Sequence, residues 1–99
     1  MISRQWVGVA RRAEAEHYVT HLKTETFPKL SQIAGFRNAA ILRRNVADGV
    51  EFRIVTTWES LDSIRRFAGD NAEVAVVPDA VQAMMITYER TVAHYEIVE

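Results

Sequence analysis

Between Val50 and Trp58 the chain alternates. Val50, Phe52, Ile54, Thr56 and Trp58 fall on one side of an extended segment, and Glu51, Arg53, Val55 and Thr57 on the other. This period of two predicts a strand that buries its first face. Two residues later the period changes: Ser60 has N-cap chemistry, Asp62 suits a first helical turn, and Leu61, Ile64, Phe67 and Ala68 recur at helical spacing until Gly69 stops the run. A core strand that runs straight into a capped helix makes a sheet layer with helices packed on it the minimum fold, within one small α+β domain.

The flanking segments extend this. Gly35 permits a tight turn into a strand from Phe36 to about Val46, and Ala47-Asp48-Gly49 reverses the chain, with Gly49 expected at positive φ, so that Val50–Trp58 pairs back antiparallel. Ser3–Ala10, carrying Trp6, Val7 and Val9, reads as a first strand. Ala13 to about Thr26 reads as a helix on Ala15, Tyr18, Val19 and Leu22, ended by Phe27-Pro28, and 29–34 as irregular. Ala72–Val77 fits no single period. Pro78 suits a first helical position, with a stripe of Val81, Met84, Met85 and Tyr88, and Thr91–Val98 closes the chain as a strand. The order strand, helix, strand, strand, helix region, strand is that of a ferredoxin-like four-stranded antiparallel sheet with helices on one face. Its bare face keeps apolar residues, which predicts a homodimer.

Ninety-nine residues suffice for one domain, 1–99, and 48% apolar with 25% charged residues is ordinary globular composition. Twelve basic against thirteen acidic side chains leave a net charge of −1, so no global field gathers nucleic acid or anionic lipid. Arg43 and Arg44, adjacent on a strand, point to opposite faces and make no joint patch. There is no cysteine, which removes disulfides, thiolate nucleophiles and sulfur-ligated metals. No stretch approaches the ~20 apolar residues of a membrane span, no export signal opens the chain, and a cytoplasmic address is expected.

Several stretches carry a resemblance to a known family: Phe27-Pro28, Gly35-Phe36, Leu42-Arg43-Arg44, Glu51-Phe52, Trp58-Glu59-Ser60, Phe67-Ala68-Gly69, Val77-Pro78 and His94-Tyr95-Glu96. Over essentially its whole length the chain resembles the antibiotic biosynthesis monooxygenase family of dimeric α+β barrels, Trp58-Glu59-Ser60 being the most specific piece. The resemblance implies a pocket between sheet and helices, shaped by Trp58, Tyr18 and Phe67 of the second helix. It implies oxygenation of an aromatic or quinol-like molecule without metal or flavin, the ionised substrate itself passing an electron to oxygen. Other members degrade haem with an asparagine on the first strand, a tryptophan on the helix and a histidine beyond. Here Phe67 and Val77 stand at the latter two places and no Asn lies on the first strand, so a haem iron would lack its ligand. Where the polyketide oxygenases place a substrate-holding asparagine, four residues before Trp58, this chain has Ile54.

Read without the family, Trp58 brings a large apolar body with one N–H donor and suits either core or pocket. Met84, Met85 and Tyr88 suit core. Glu14, His17, His21 and Glu25 share one side of the first helix and the two histidines have metal-ligand spacing, but Tyr18 stands where a zinc protease has Glu and no third ligand is assured, so a solvated face is favoured and no metal is expected. His21 borders the apolar stripe and His94 shares a strand face with Val92, Glu96 and Val98. Either histidine could remove a substrate proton, and these two are the candidate catalytic bases. The expectation is a small dimeric cofactor-independent monooxygenase acting on a hydrophobic small molecule. The alternative is a non-catalytic dimer that binds an apolar metabolite or serves a stress-related role.

Overall fold

The computed structural model describes residues Met1–Glu99. Five strands, β1 (Ile2–Ala10), β2 (Phe36–Asn45), β3 (Val50–Trp58), β4 (Met85–Tyr88) and β5 (Ala93–Glu96), form one antiparallel sheet. From one edge the order is β2, β3, β1. The far edge of β1 is shared end to end: Gly8–Ala10 pairs with β4, and Ile2–Gln5 with β5. Helical segments cover one face: α1 (Ala15–His21), a π-helical turn (Leu22–Thr26), α2 (Phe27–Leu30), α3 (Leu61–Ala68) and α4 (Asp79–Gln82). No helix is long and apolar enough to cross a membrane.

The alternation predicted for Val50–Trp58 holds, since Val50, Phe52, Ile54, Thr56 and Trp58 are all buried. Register puts Gly8 opposite Phe52, Trp6 opposite Ile54 and Arg4 opposite Thr56, so those side chains share the helix-covered face. Ser60 caps α3 as expected: its hydroxyl accepts from the Ser63 amide, and the Ser63 hydroxyl accepts from the Ser60 amide, both at 3.2 Å.

Three expectations are corrected. The stripe that ends at Tyr88 is not one helix: α4 stops at Gln82, and Met85–Tyr88 is a fifth strand. Apolar residues at 81, 84, 85 and 88 fit a helical period, but β1 offers an unpaired edge, and the β-branched Ile86 and Thr87 suit a strand. Phe27-Pro28 does not end the first helix either. The π-turn shifts the ladder, the Phe27 amide donating to the Leu22 carbonyl, and Pro28 falls in the first turn of α2, where no amide is required. Nor does Gly49 take positive φ; only Gly35 and Gly69 do. Gly49 is needed for closeness, because a Cβ there would stand 2.2 Å from the Ala10 carbonyl oxygen.

The core divides in two. Tyr18, Leu22, Phe52, Ile54, Val81 and Met85 pack with Ala10 under α1, whereas Leu30, Trp58, Ile64 and Ala72 form a second cluster under α3.

Candidate functional site: a cavity between the two core clusters

A cavity of about 80 Å³ lies between the sheet and its helices and takes walls from both clusters. Arg4, Trp6, Ile54 and Thr56 form the floor, because β1 and β3 are in register on that face. Tyr18 and Leu22 of α1 and the π-turn, with Phe27 and Leu30 of α2, form one side. Phe67 of α3 and the 76–78 segment close the other. Thr26, Phe67, Val76 and Pro78 are shared with an adjoining outer cavity, a vestibule of about 390 Å³, that also touches His21, Glu25 and Lys29.

Two of the floor's polar groups are satisfied by the protein. The Trp6 indole N–H donates to the Glu89 carbonyl at 2.8 Å. Thr56 Oγ1 accepts from the Trp58 indole at 2.8 Å and donates to the Arg4 carbonyl at 3.4 Å. Arg4 differs. It is 5% exposed, and its guanidinium donates through Nη1 to the Ala72 carbonyl (2.5 Å) and through Nη2 to the Val74 carbonyl (3.1 Å), with Nη1 also 3.0 Å from His94 Nε2. Its carbon lies 5.8 Å from the Phe67 ring centre. Burial pulls the Arg4 pKa down to about 10, opposed by Glu73, and the group stays charged at neutral pH. Arg4 thus ties the 72–74 segment to the sheet and thereby positions the wall that follows it.

His94 faces this guanidinium. Burial first, and then the Arg4 charge, hold its pKa below the usual histidine value, so it is neutral at pH 7 and its Nε2 lone pair accepts from Arg4. Tyr18 is packed edge-on to Phe52 with ring centres 4.9 Å apart, and burial pushes its phenol well above the usual range, so it remains a neutral hydroxyl.

Tyr18 and Phe67 line the cavity. Trp58 does not: fully buried, it packs against Phe36 and stacks on Phe67, one layer behind the wall. His21 stands in the vestibule, and His94 meets the cavity only through Arg4. His17 is on the surface, 3.0 Å from Glu14, and no group of three His, Asp or Glu side chains is placed to hold a metal. The residue that sequence reasoning passed over is Arg4. Its signal was parity: even positions of β1 carry Ile2, Trp6 and Ala10 inward, and Arg4 is on the same face.

The fold has solved counterparts. A Bacillus cereus protein assigned as an antibiotic biosynthesis monooxygenase superposes with a TM-score of 0.67 at 14% identity, covering 100% of this chain and 94% of that one. The chain has the antibiotic biosynthesis monooxygenase fold. SnoaB from Streptomyces nogalater, a cofactor-independent oxygenase seen as an asparagine-to-alanine variant, superposes at 0.66 with 18% identity, covering 99% and 93%. No family profile matches the chain, and no curated protein sequence does. Ile54, Phe67 and Val77, the three positions where the resemblance placed reactive residues of such oxygenases or haem-degrading relatives, all line the one cavity, each with an apolar side chain.

Proposed function

We propose that this protein is a cofactor-independent monooxygenase that acts, as a homodimer, on a small hydrophobic aromatic or quinol-like molecule. The observation that supports this best is the apolar cavity between sheet and helices, in a fold shared with a cofactor-independent oxygenase. In such a reaction the substrate supplies the electrons. With an anthrone, the ring methylene becomes a carbonyl and the second oxygen atom of O₂ leaves as water, so dioxygen is the only oxidant. His21, at the vestibule, is the base that takes the substrate proton, while His94 holds Arg4 in place.

Oxygen uptake with anthrone is expected to exceed the uncatalysed rate. His21→Ala is expected to lower it about 100-fold, the usual scale for losing a general base, and His94→Ala by less. Equal rates in both variants and the parent would overturn these assignments, and uptake no faster than without protein would overturn the oxygenase reading.

The homodimer reading draws on the open face of the sheet. Register places Val7, Val9, Leu42, Val55 and Tyr95 there, with Leu42 50% and Tyr95 55% exposed. On this face Arg44 pairs with Glu51 at 2.7 Å, and Arg53 donates a hydrogen bond to the neutral Gln5 amide oxygen at 3.2 Å. Sedimentation at micromolar concentration is expected to give twice the 11.3 kDa chain mass, and a monomer would refute it.

A second reading, a non-catalytic binder of an apolar metabolite, is favoured by one observation: none of the three histidines lines the inner cavity. Ligand binding without oxygen uptake would select it.

A further inference from the structure

We infer that the molecule held in the cavity is a flat apolar acid, and that Arg4 binds its carboxylate. The inference deepens the functional reading above by naming the chemical class of the ligand. Arg4 is the one charged side chain among the cavity's lining residues, and the rest of the wall is dominated by apolar groups such as Ile54, Phe67 and Val77. None of the five ion pairs in the structure involves it. Its partners are two backbone carbonyls and a neutral imidazole.

Tying down the 72–74 segment accounts for those hydrogen bonds but not for the charge, because a carbonyl accepts equally from a neutral donor. A guanidinium carries five N–H groups, of which three are used here, leaving two for a ligand. Glu73 opposes the cost of burying this charge but forms no ion pair with it, and an anion entering the cavity would recover more of that cost through charge-assisted hydrogen bonds in a poorly screened place. Size sets the orientation. The inner cavity, at about 80 Å³, is smaller than the roughly 150 Å³ that suits benzene. The acid group therefore enters first and reaches Arg4, and the ring system extends past Phe67, Val76 and Pro78 into the vestibule. The neutral Tyr18 hydroxyl, in the same wall, adds a donor.

The test is calorimetric titration of the parent protein with 2-naphthoate and with its neutral counterpart 2-naphthamide. The acid is expected to bind at least about tenfold more tightly. Arg4→Met is expected to erase that preference. Because this variant also loses the 72–74 tie, the parent protein is followed in parallel by NMR, where the Arg4 Nε–H signal is expected to move with naphthoate and stay still with naphthamide. Equal affinity for acid and amide, binding of the acid with an unmoved Arg4 signal, or binding of neither compound would each overturn the inference. Oxygen uptake separates the two readings. Uptake from anthrone without acid preference removes the carboxylate site and leaves the oxygenase, whereas acid preference without uptake does the reverse.

Discussion

Trp58→Ala is expected to destabilise the protein by about 3–5 kcal/mol, the range for truncating a large aromatic in a packed core. The indole is fully buried, in contact with Phe36 at 5.2 Å and stacked on Phe67 at 6.1 Å between ring centres. Its N–H is matched to Thr56 Oγ1, which in turn reaches the Arg4 carbonyl, so the truncation also strips a buried acceptor on the cavity floor of its donor. Trp58→Phe keeps most of the packing and loses the donor, and is expected to cost about 1–3 kcal/mol. Urea unfolding followed by circular dichroism measures both. Since Phe67 and Thr56 lie between Trp58 and the cavity, Trp58→Phe is expected to bind 2-naphthoate as the parent does. Lost binding with unchanged stability would place the indole in the wall after all.

Gly35→Ala is expected to cost about 2–4 kcal/mol, combining backbone strain with a steric clash. Gly35 sits at φ 95°, where an L side chain is strained, and a Cβ there would stand 2.3 Å from Ser63 Cβ in the first turn of α3. The Gly35 carbonyl also accepts from the Glu59 amide at 2.8 Å, so the turn cannot move off without freeing the junction between β3 and α3. Gly69→Ala is the matched control: φ is 84°, but nothing lies within 4 Å of the added carbon. It is expected to show the backbone strain alone, about 1–3 kcal/mol for an essentially glycine-only conformation. Equal losses in the two variants, read from the same urea curves, would show that the Ser63 contact contributes nothing.

Much of the sheet was legible because it rests on local rules. The β3 alternation, the Ser60 cap and the Gly69 stop involve neighbours within a few residues, and each is present as read. The segment after Pro78 was not legible. Its apolar spacing satisfies a helix and a strand alike, and the free edge of β1, more than seventy residues away in sequence, settles the state of Met85–Tyr88. Gly49 shows the same limit, since its need for a missing side chain comes from the Ala10 carbonyl on another strand.

The candidate site divides along the same line. The sequence by itself determined which residues of β3 share the buried face, because a strand's period of two leaves no choice once one face is apolar. In β1, by contrast, the apolar Trp6, Val7 and Val9 occupy both faces, and its register with β3 settles which side faces the helices. The sequence also determined that Ser60 caps α3 and that Phe67 belongs to the helix's apolar stripe. Only the tertiary structure decided that Trp58 stands behind the cavity wall and that Ile54, Phe67 and Val77 meet around one cavity. It alone placed Arg4 there as a cation held by neutral partners. Parity fixes a face, whereas contact and charge balance depend on which distant segments close over it, and no local pattern in the chain records that.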